Sequence, residues 1–301
     1  MENATLLTVR DHLRFAVSRF RAADLFHGHG ATSAIDEAAF LVLEALHLPV
    51  EDINPWLDAR LMADERARLL SLIEARVATR KPAAYLLNKT YLQSAPFYVD
   101  ERVIVPRSYI AELLFRNDVV GGAGALIPQP EEIGSVLDLC TGSGCLAVLA
   151  TRAFPNARVD AVDLSADALA VARRNIEDYG LSDRISLHQG DLFAPLKGRR
   201  YDLIITNPPY VDAETMAMLP PEFQAEPAMA LAGGDDGFDV VRRILADAPA
   251  HLNEGGGLVC EIGTDRATLE AGYPDTAFLW LDSEDSEGEV FWLGAEQLKA
   301  R

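Results

Sequence analysis

The sequence predicts an α/β protein: a mostly parallel, seven-stranded sheet with helices on both faces, preceded by a small helical domain and a linking β-hairpin. Three observations carry this. From residue 5 to about 80, apolar side chains recur at three- and four-residue steps, the period of helices that bury one face. Between about 85 and 105 the pattern becomes extended. Beyond a Gly- and Pro-rich loop from Gly121 to Gly134, strand and helix patterns alternate, which implies parallel strands joined by crossover helices. The expected units are 1–84 (helical, substrate-recognising), 85–106 (hairpin linker) and 107–301 (the sheet domain).

Element by element, one helix runs through Leu13, Ala16, Val17 and Phe20, inside an amphipathic stretch from Met1 to Phe20. A second runs through Ile35, Ala38, Ala39, Val42, Leu43 and Leu46, with Thr32 or Ser33 placed to cap it and Asp36 and Glu37 in its first turn. A third runs through Ala67, Leu70, Leu72, Ile73 and Val77. The hairpin comprises Tyr91 to Ser94 and Phe97 to Val105. The sheet domain reads strand, helix, strand, helix through Ser135–Cys140, Cys145–Arg152, Arg158–Val162, Ala166–Tyr179, Ile185–Gln189 and Leu203–Thr206. It closes with Gly257–Ile262, Ala277–Leu281 and Glu289–Leu293, the last two without a helix between them and therefore antiparallel.

Composition narrows the function. The 301 residues carry a net charge of −19, which opposes binding to a phosphate backbone and favours a basic partner. No run approaches the roughly 20 apolar residues of a membrane span, and the N-terminal stretch is too charged for a signal peptide. Cys140, Cys145 and Cys260 fit no zinc or disulfide spacing, so a reduced, cytoplasmic protein without a metal is expected. His27 and His29 read as loop residues.

Val136 to Ala147 reads as a buried strand, a glycine turn (Thr141-Gly142-Ser143-Gly144) and a helix beginning at Cys145. Ligands of open α/β sheets lie at such strand ends. Gly142 to Ala147 also satisfies Gly-x-Gly-x-x-Ala, and Asp163 follows at 163 − 142 = 21 residues, so a dinucleotide is the rival ligand. Three features favour S-adenosylmethionine. Asp138 can approach a positive sulfonium and would repel a pyrophosphate. Asp191, in Gly190-Asp191-Leu192, supplies an acceptor for an adenine amine. The strand ending at Thr206 leads into Asn207-Pro208-Pro209-Tyr210, which hydride transfer does not require.

That tetrapeptide suits methyl transfer to a planar nitrogen. Such a nitrogen is a poor nucleophile because its lone pair is delocalised, so the NH₂ must be held in line with the donor. The Asn207 side-chain oxygen and the Pro208 carbonyl can each accept one N–H. Pro208 and Pro209 stiffen the loop, and Tyr210 offers a flat face beside a cation. A nucleic-acid amino methyltransferase uses a similar tetrapeptide, but would need basic or aromatic recognition surfaces. A binding protein that had lost catalysis would have damaged motifs.

Asp138 to Gly144, Asp163, Asp191 and Asn207 to Tyr210, with Glu226-Pro227-x-x-Ala230-Leu231-x-Gly233-Gly234 and Glu261-Ile262-Gly263, resemble the protein glutamine methyltransferase family. The resemblance spans nearly the whole chain and implies a Rossmann-like class I methyltransferase fold. It also implies cofactor contacts from Thr141 to Cys145, Asp163, Leu192 and Asn207, and glutamine contacts from Asn207 to Tyr210. Pro96 to Arg102 and Val105-Pro106-Arg107-Ser108 are similar to the branch acting on large-subunit ribosomal protein three, rather than the branch acting on peptide release factors. Tyr109, where that branch commonly has proline, and Ser94-Ala95, where it has a Gly-containing pair, depart from it. Glu226 and the loop Asp235 to Asp239 read as caps for the following helix.

Overall fold

Thr8 starts the first helix by a reciprocal cap. Its hydroxyl accepts the Asp11 amide at 3.2 Å, while the Asp11 carboxylate accepts the Thr8 amide at 2.9 Å. The structure is a computed structural model and describes residues 6–263, 265–284 and 286–299. The sequence reading of residues 1–5 therefore lies outside the described residues. Helices α1 (Val9–Ala22), α2 (Ala34–Ala45) and α3 (Ala63–Thr79) match the three periodic stretches, and a short α4 (Ala83–Leu87) follows. Ser33 caps α2 by accepting the Asp36 amide. Phe20, Leu41, Leu69 and Ile73 are fully buried where α1, α2 and α3 meet, each contributing roughly 1.5–3 kcal/mol of burial.

This helical region also buries an ion pair. Both Glu37 oxygens accept from Arg76, at 2.8 and 3.0 Å. Burial pushes the Glu37 carboxyl up, but His27, Arg76 and the Ala83 amide outweigh it and hold the carboxyl down at about 2.

The hairpin is shorter than its extended pattern predicts. Only β1 (Thr90–Leu92) and β2 (Ala95–Phe97) pair. Gln93 and Ser94 make the turn in the left-handed region, a conformation that glycine adopts more readily than other residues. Beyond Phe97 the chain leaves the ladder because another partner satisfies its backbone. Tyr98 exchanges two hydrogen bonds with the Asn175 side chain, at 2.8 and 3.0 Å.

The main sheet has strand order β5-β4-β3-β6-β7-β9-β8. Its strands are β3 (Ser135–Leu139), β4 (Arg158–Asp163), β5 (Ile185–Gln189), β6 (Tyr201–Thr206), β7 (Leu252–Glu261), β8 (Leu279–Leu281) and β9 (Val290–Gly294). The pairs among β3 to β7 are parallel, and β9 runs antiparallel to β7 and β8. Before the sheet lies α5 (Ile110–Leu113); α6 (Cys145–Ala153), α7 (Ala166–Asp178), α8 (Ala213–Met218), α9 (Asp239–His251), α10 (Arg266–Gly272) and α11 (Ala295–Lys299) follow in order. Strand order reverses at β3, with β4 on one side and β6 on the other. The carboxyl ends of these three strands therefore open a crevice, the usual ligand position in such sheets. Among the described residues no helix is long and apolar enough to cross a membrane.

Candidate active site

The crevice is a cavity of about 320 Å³. Gly142 from the β3 turn, Val162 and Asp163 from β4, Gly190 to Leu192 after β5, and Asn207 and Pro209 after β6 all line it. Gly142 adopts a positive φ of 54° with nothing within 4 Å of a would-be side chain, leaving room for a ligand. At Gly190 a Cβ would come within 2.8 Å of Pro195, so only glycine fits this bend.

Asp163 is fixed by the backbone around it. One oxygen accepts the Gly142 amide at 2.8 Å and the other accepts the Ser165 amide at 2.9 Å. Burial pushes its pKa up against these donors. Asp191 is about half exposed and pairs with Arg243 at 2.7 Å. Leu164, Ile104, Leu192, Met229 and Val240 supply apolar walls. This donor set fits an adenosyl group bearing a sulfonium: carboxylates for hydroxyls and an amine, and flat apolar surface for a base. It fits a pyrophosphate poorly, since the lining cations Arg102 and Arg243 are each already paired with an aspartate.

Five further residues that the sequence assigns to the cofactor, Asp138, Thr141, Ser143, Gly144 and Cys145, are buried and do not line this cavity. Asp138 is fully buried and accepts the Thr141 hydroxyl at 2.5 Å. Burial pushes its carboxyl up to about 7. Gly144 packs against α7, where a Cβ would meet the Ala172 Cβ at 3.1 Å. Asn175 ties this turn to the linker by donating to the Ser143 carbonyl at 2.8 Å.

The tetrapeptide borders two cavities. Asn207 and Pro209 face the first, Pro208 is buried, and Tyr210 lines a second, open groove of about 1020 Å³. Burial, then the nearby Glu261, pushes the Tyr210 phenol up, so it stays protonated at neutral pH. Gly263 underlies the ring, where a Cβ would sit 3.0 Å from Tyr210 Cδ2. Seven carboxylates line the groove, among them Glu112, Asp212, Glu214, Asp235 and Glu289.

The methyltransferase small domain family model matches residues 121–233, which include both the glycine turn and the tetrapeptide. The chain is 60% identical to the ribosomal protein uL3 glutamine methyltransferase of Bradyrhizobium diazoefficiens, covering 97% of this chain and 92% of that protein. The proteins of the same description from Burkholderia pseudomallei and Bordetella pertussis are 54% and 52% identical, covering 96% and 97% of their lengths and 97% of this chain. The chain belongs to the ribosomal protein uL3 glutamine methyltransferase family. It is a methyltransferase.

In this family member Glu226 departs from the capping role that the sequence suggests. It does not cap the helix that follows. Its carboxylate turns away from α9, accepts the Val105 amide at 2.9 Å and pairs with Arg107. Asp236, in the loop read with it, does accept the Phe238 amide at 3.2 Å, but α9 has no side-chain cap at its start.

Sequence reasoning also missed several lining residues. Ile104 arrives from the linker, Met229 from the segment beyond the tetrapeptide and Arg243 from α9, and no local motif marks them. Cys140 did carry a signal by its place in the turn. It lines the cavity with φ 58° and Leu192 with φ 48°, so two non-glycine residues hold left-handed backbone at this site. Burial pushes the Cys140 thiol up, which argues against a nucleophile.

Proposed function

We propose that this protein transfers a methyl group from S-adenosylmethionine to the side-chain amide nitrogen of a glutamine in ribosomal protein uL3, in the cytoplasm where ribosomes assemble. One observation carries the reading: Asn207 to Tyr210 lies between an apolar cleft edged by Asp163 and Asp191 and an open groove edged by carboxylates. The family's description supports the same acceptor.

S-adenosylmethionine, when bound, supplies an electrophilic methyl on a sulfonium. The protein's part is to hold and orient. Asp163 accepts the ribose hydroxyls, and Asp191 accepts the adenine amine. Leu192 and the other apolar walls cover the base, while the open backbone at Gly142 admits the ligand. Asp138, Thr141, Ser143, Gly144 and Cys145 act from behind, keeping the turn in shape. The Asn207 side-chain oxygen and the Pro208 carbonyl accept the two amide hydrogens, so the nitrogen presents its lone pair along one direction. Pro209 limits the loop's freedom, and Tyr210 stacks against the amide plane. The amide proton becomes acidic as the new N–C bond forms, so the scheme needs no strong base.

The carboxylates of the groove would attract a basic protein and repel nucleic acid, which favours uL3 over RNA as acceptor. The test is mass spectrometry of uL3 after incubation with enzyme and S-adenosylmethionine. A gain of one methyl on a glutamine, abolished by Gln→Ala at that position in uL3, is the expected result. Label in RNA, or in release factors and not uL3, refutes it.

A further inference from the structure

The segment from Val211 to Gly233 leaves the tetrapeptide, loops out and returns to it. Val211 donates its amide to the Leu231 carbonyl, and Gly233 donates its amide to the Val211 carbonyl, both at 2.8 Å. The returning chain touches Tyr210 directly. A Cβ at Gly233 would lie 2.7 Å from the Tyr210 Cα, and one at Gly237 would lie 2.4 Å from the Tyr210 carbonyl oxygen. The posture of Tyr210 is therefore coupled to the path of this loop.

The far end of the loop is clamped to parts of the chain remote in sequence. Glu222 is fully buried, accepts the Phe26 amide at 3.0 Å and pairs with Arg80 at 2.7 Å. Arg80 in turn donates to the carbonyls of Ala23 and Asp24 at the end of α1. Phe223 packs its ring 4.4 Å from the buried His29 imidazole and 5.5 Å from the Phe26 ring, with the Arg107 guanidinium over it at 5.5 Å. Glu226 then grips Val105 of the linker and Arg107 just beyond it. Two buried carboxylates and an aromatic ring thus fasten one loop to the helical region and the linker. Taking charges out of water is costly unless they are partnered; Glu226 is held through both oxygens and Glu222 through Oε1, where the Phe26 amide and Arg80 converge.

We infer that Glu222, Phe223 and Glu226 are positioning residues of the reaction: they clamp the loop 211–233 to the helical region and the linker, and thereby hold Tyr210 and its neighbour Asn207 in register with the cofactor cleft. The inference rests on the proposed role of the tetrapeptide, but it has a readout independent of substrate. Hydrogen exchange at the Val211 and Gly233 amides reports the closure of the loop directly. In Phe223→Ala both amides should exchange at least tenfold faster than in the wild type, while the amides of β3 and α6 keep their protection. Unchanged exchange at Val211 and Gly233 overturns the inference, whatever the substrate proves to be. With uL3 as acceptor, kcat should fall at least tenfold and KM change less than threefold, and Phe223→Tyr should recover most of the turnover. A rise in KM with kcat unchanged would overturn it, because the contacts would then serve only to dock the protein substrate. Should Phe223→Ala fail to fold, Arg80→Met breaks the helical-side contact at a position 32% exposed, and the same exchange and kcat criteria apply. Wild-type enzyme that leaves uL3 unlabelled would sink the substrate assignment alone.

Discussion

The Glu226 carboxylate grips the Arg107 guanidinium with both oxygens, each at 2.7 Å, across 119 residues of sequence. The pair is asymmetric. The Glu226 side chain is wholly buried, whereas 25% of the Arg107 side chain reaches solvent. Removing Arg107 strands a carboxylate with no water, while removing the Glu226 charge leaves a cation that can turn outward. Arg107→Met should therefore destabilise by about 3 kcal/mol and Glu226→Gln by roughly half as much. Denaturant unfolding midpoints at neutral pH check the order, and a larger loss for Glu226→Gln would show that the burial argument fails.

Asp163 faces the cleft with two backbone donors already committed to its oxygens. Asp163→Ala should weaken S-adenosylmethionine binding by about 2–3 kcal/mol, the scale of a charge-assisted hydrogen bond. Calorimetry on folded variant protein gives the number. Unchanged affinity would remove Asp163 from the ligand.

Asn207 borders the cleft beside Pro209. Asn207→Ala should keep cofactor affinity within about tenfold and lower turnover by about 10²-fold or more, since orientation of the amide is lost while the donor stays bound. A drop smaller than about threefold would take the amide-holding role away from this residue.

The carboxylate-lined groove and the net charge of −19 predict a salt effect on encounter. Raising salt from about 50 to 300 mM shortens the screening length to roughly 6 Å. kcat/KM for uL3 should fall several-fold while kcat stays nearly level. A salt-insensitive kcat/KM would mean that charge does not steer the substrate.

Glu261 is fully buried and accepts the Ser108 hydroxyl at 2.6 Å and the Tyr109 amide at 2.9 Å. Burial pushes its carboxyl from 4.5 up to about 7. The folded protein thus keeps a proton that the unfolded chain has already released, so this stabilising contribution is complete below about pH 4.5 and is lost as pH rises through about 7. Glu261→Gln mimics the protonated form and should flatten the decline, by roughly 1–3 kcal/mol between pH 5 and 8. Unfolding midpoints measured at both pH values decide it, and parallel curves for the two proteins would count against the assignment.

Periodicity alone specified the three N-terminal helices, the alternating strands and helices, and the strand ends on which Gly142, Asp163, Asp191 and Asn207 stand. These features are local: a helix or strand buries its apolar face at a spacing fixed by backbone geometry, and a glycine turn is legible because glycine adopts such a bend at the least cost. The same spacing placed Asp138, Thr141, Ser143, Gly144 and Cys145 near the turn, yet could not say which side chains face the ligand. Tertiary structure decided that Asp138 points into the interior and that the tetrapeptide divides its residues between two cavities. It also paired Tyr98 with Asn175, Ser108 with Glu261 and Arg107 with Glu226, partners separated by 77, 153 and 119 residues. Such contacts leave no period in the chain. A buried polar group must find some partner, but which one depends on how the packed elements lie against each other, and only the assembled fold determines that.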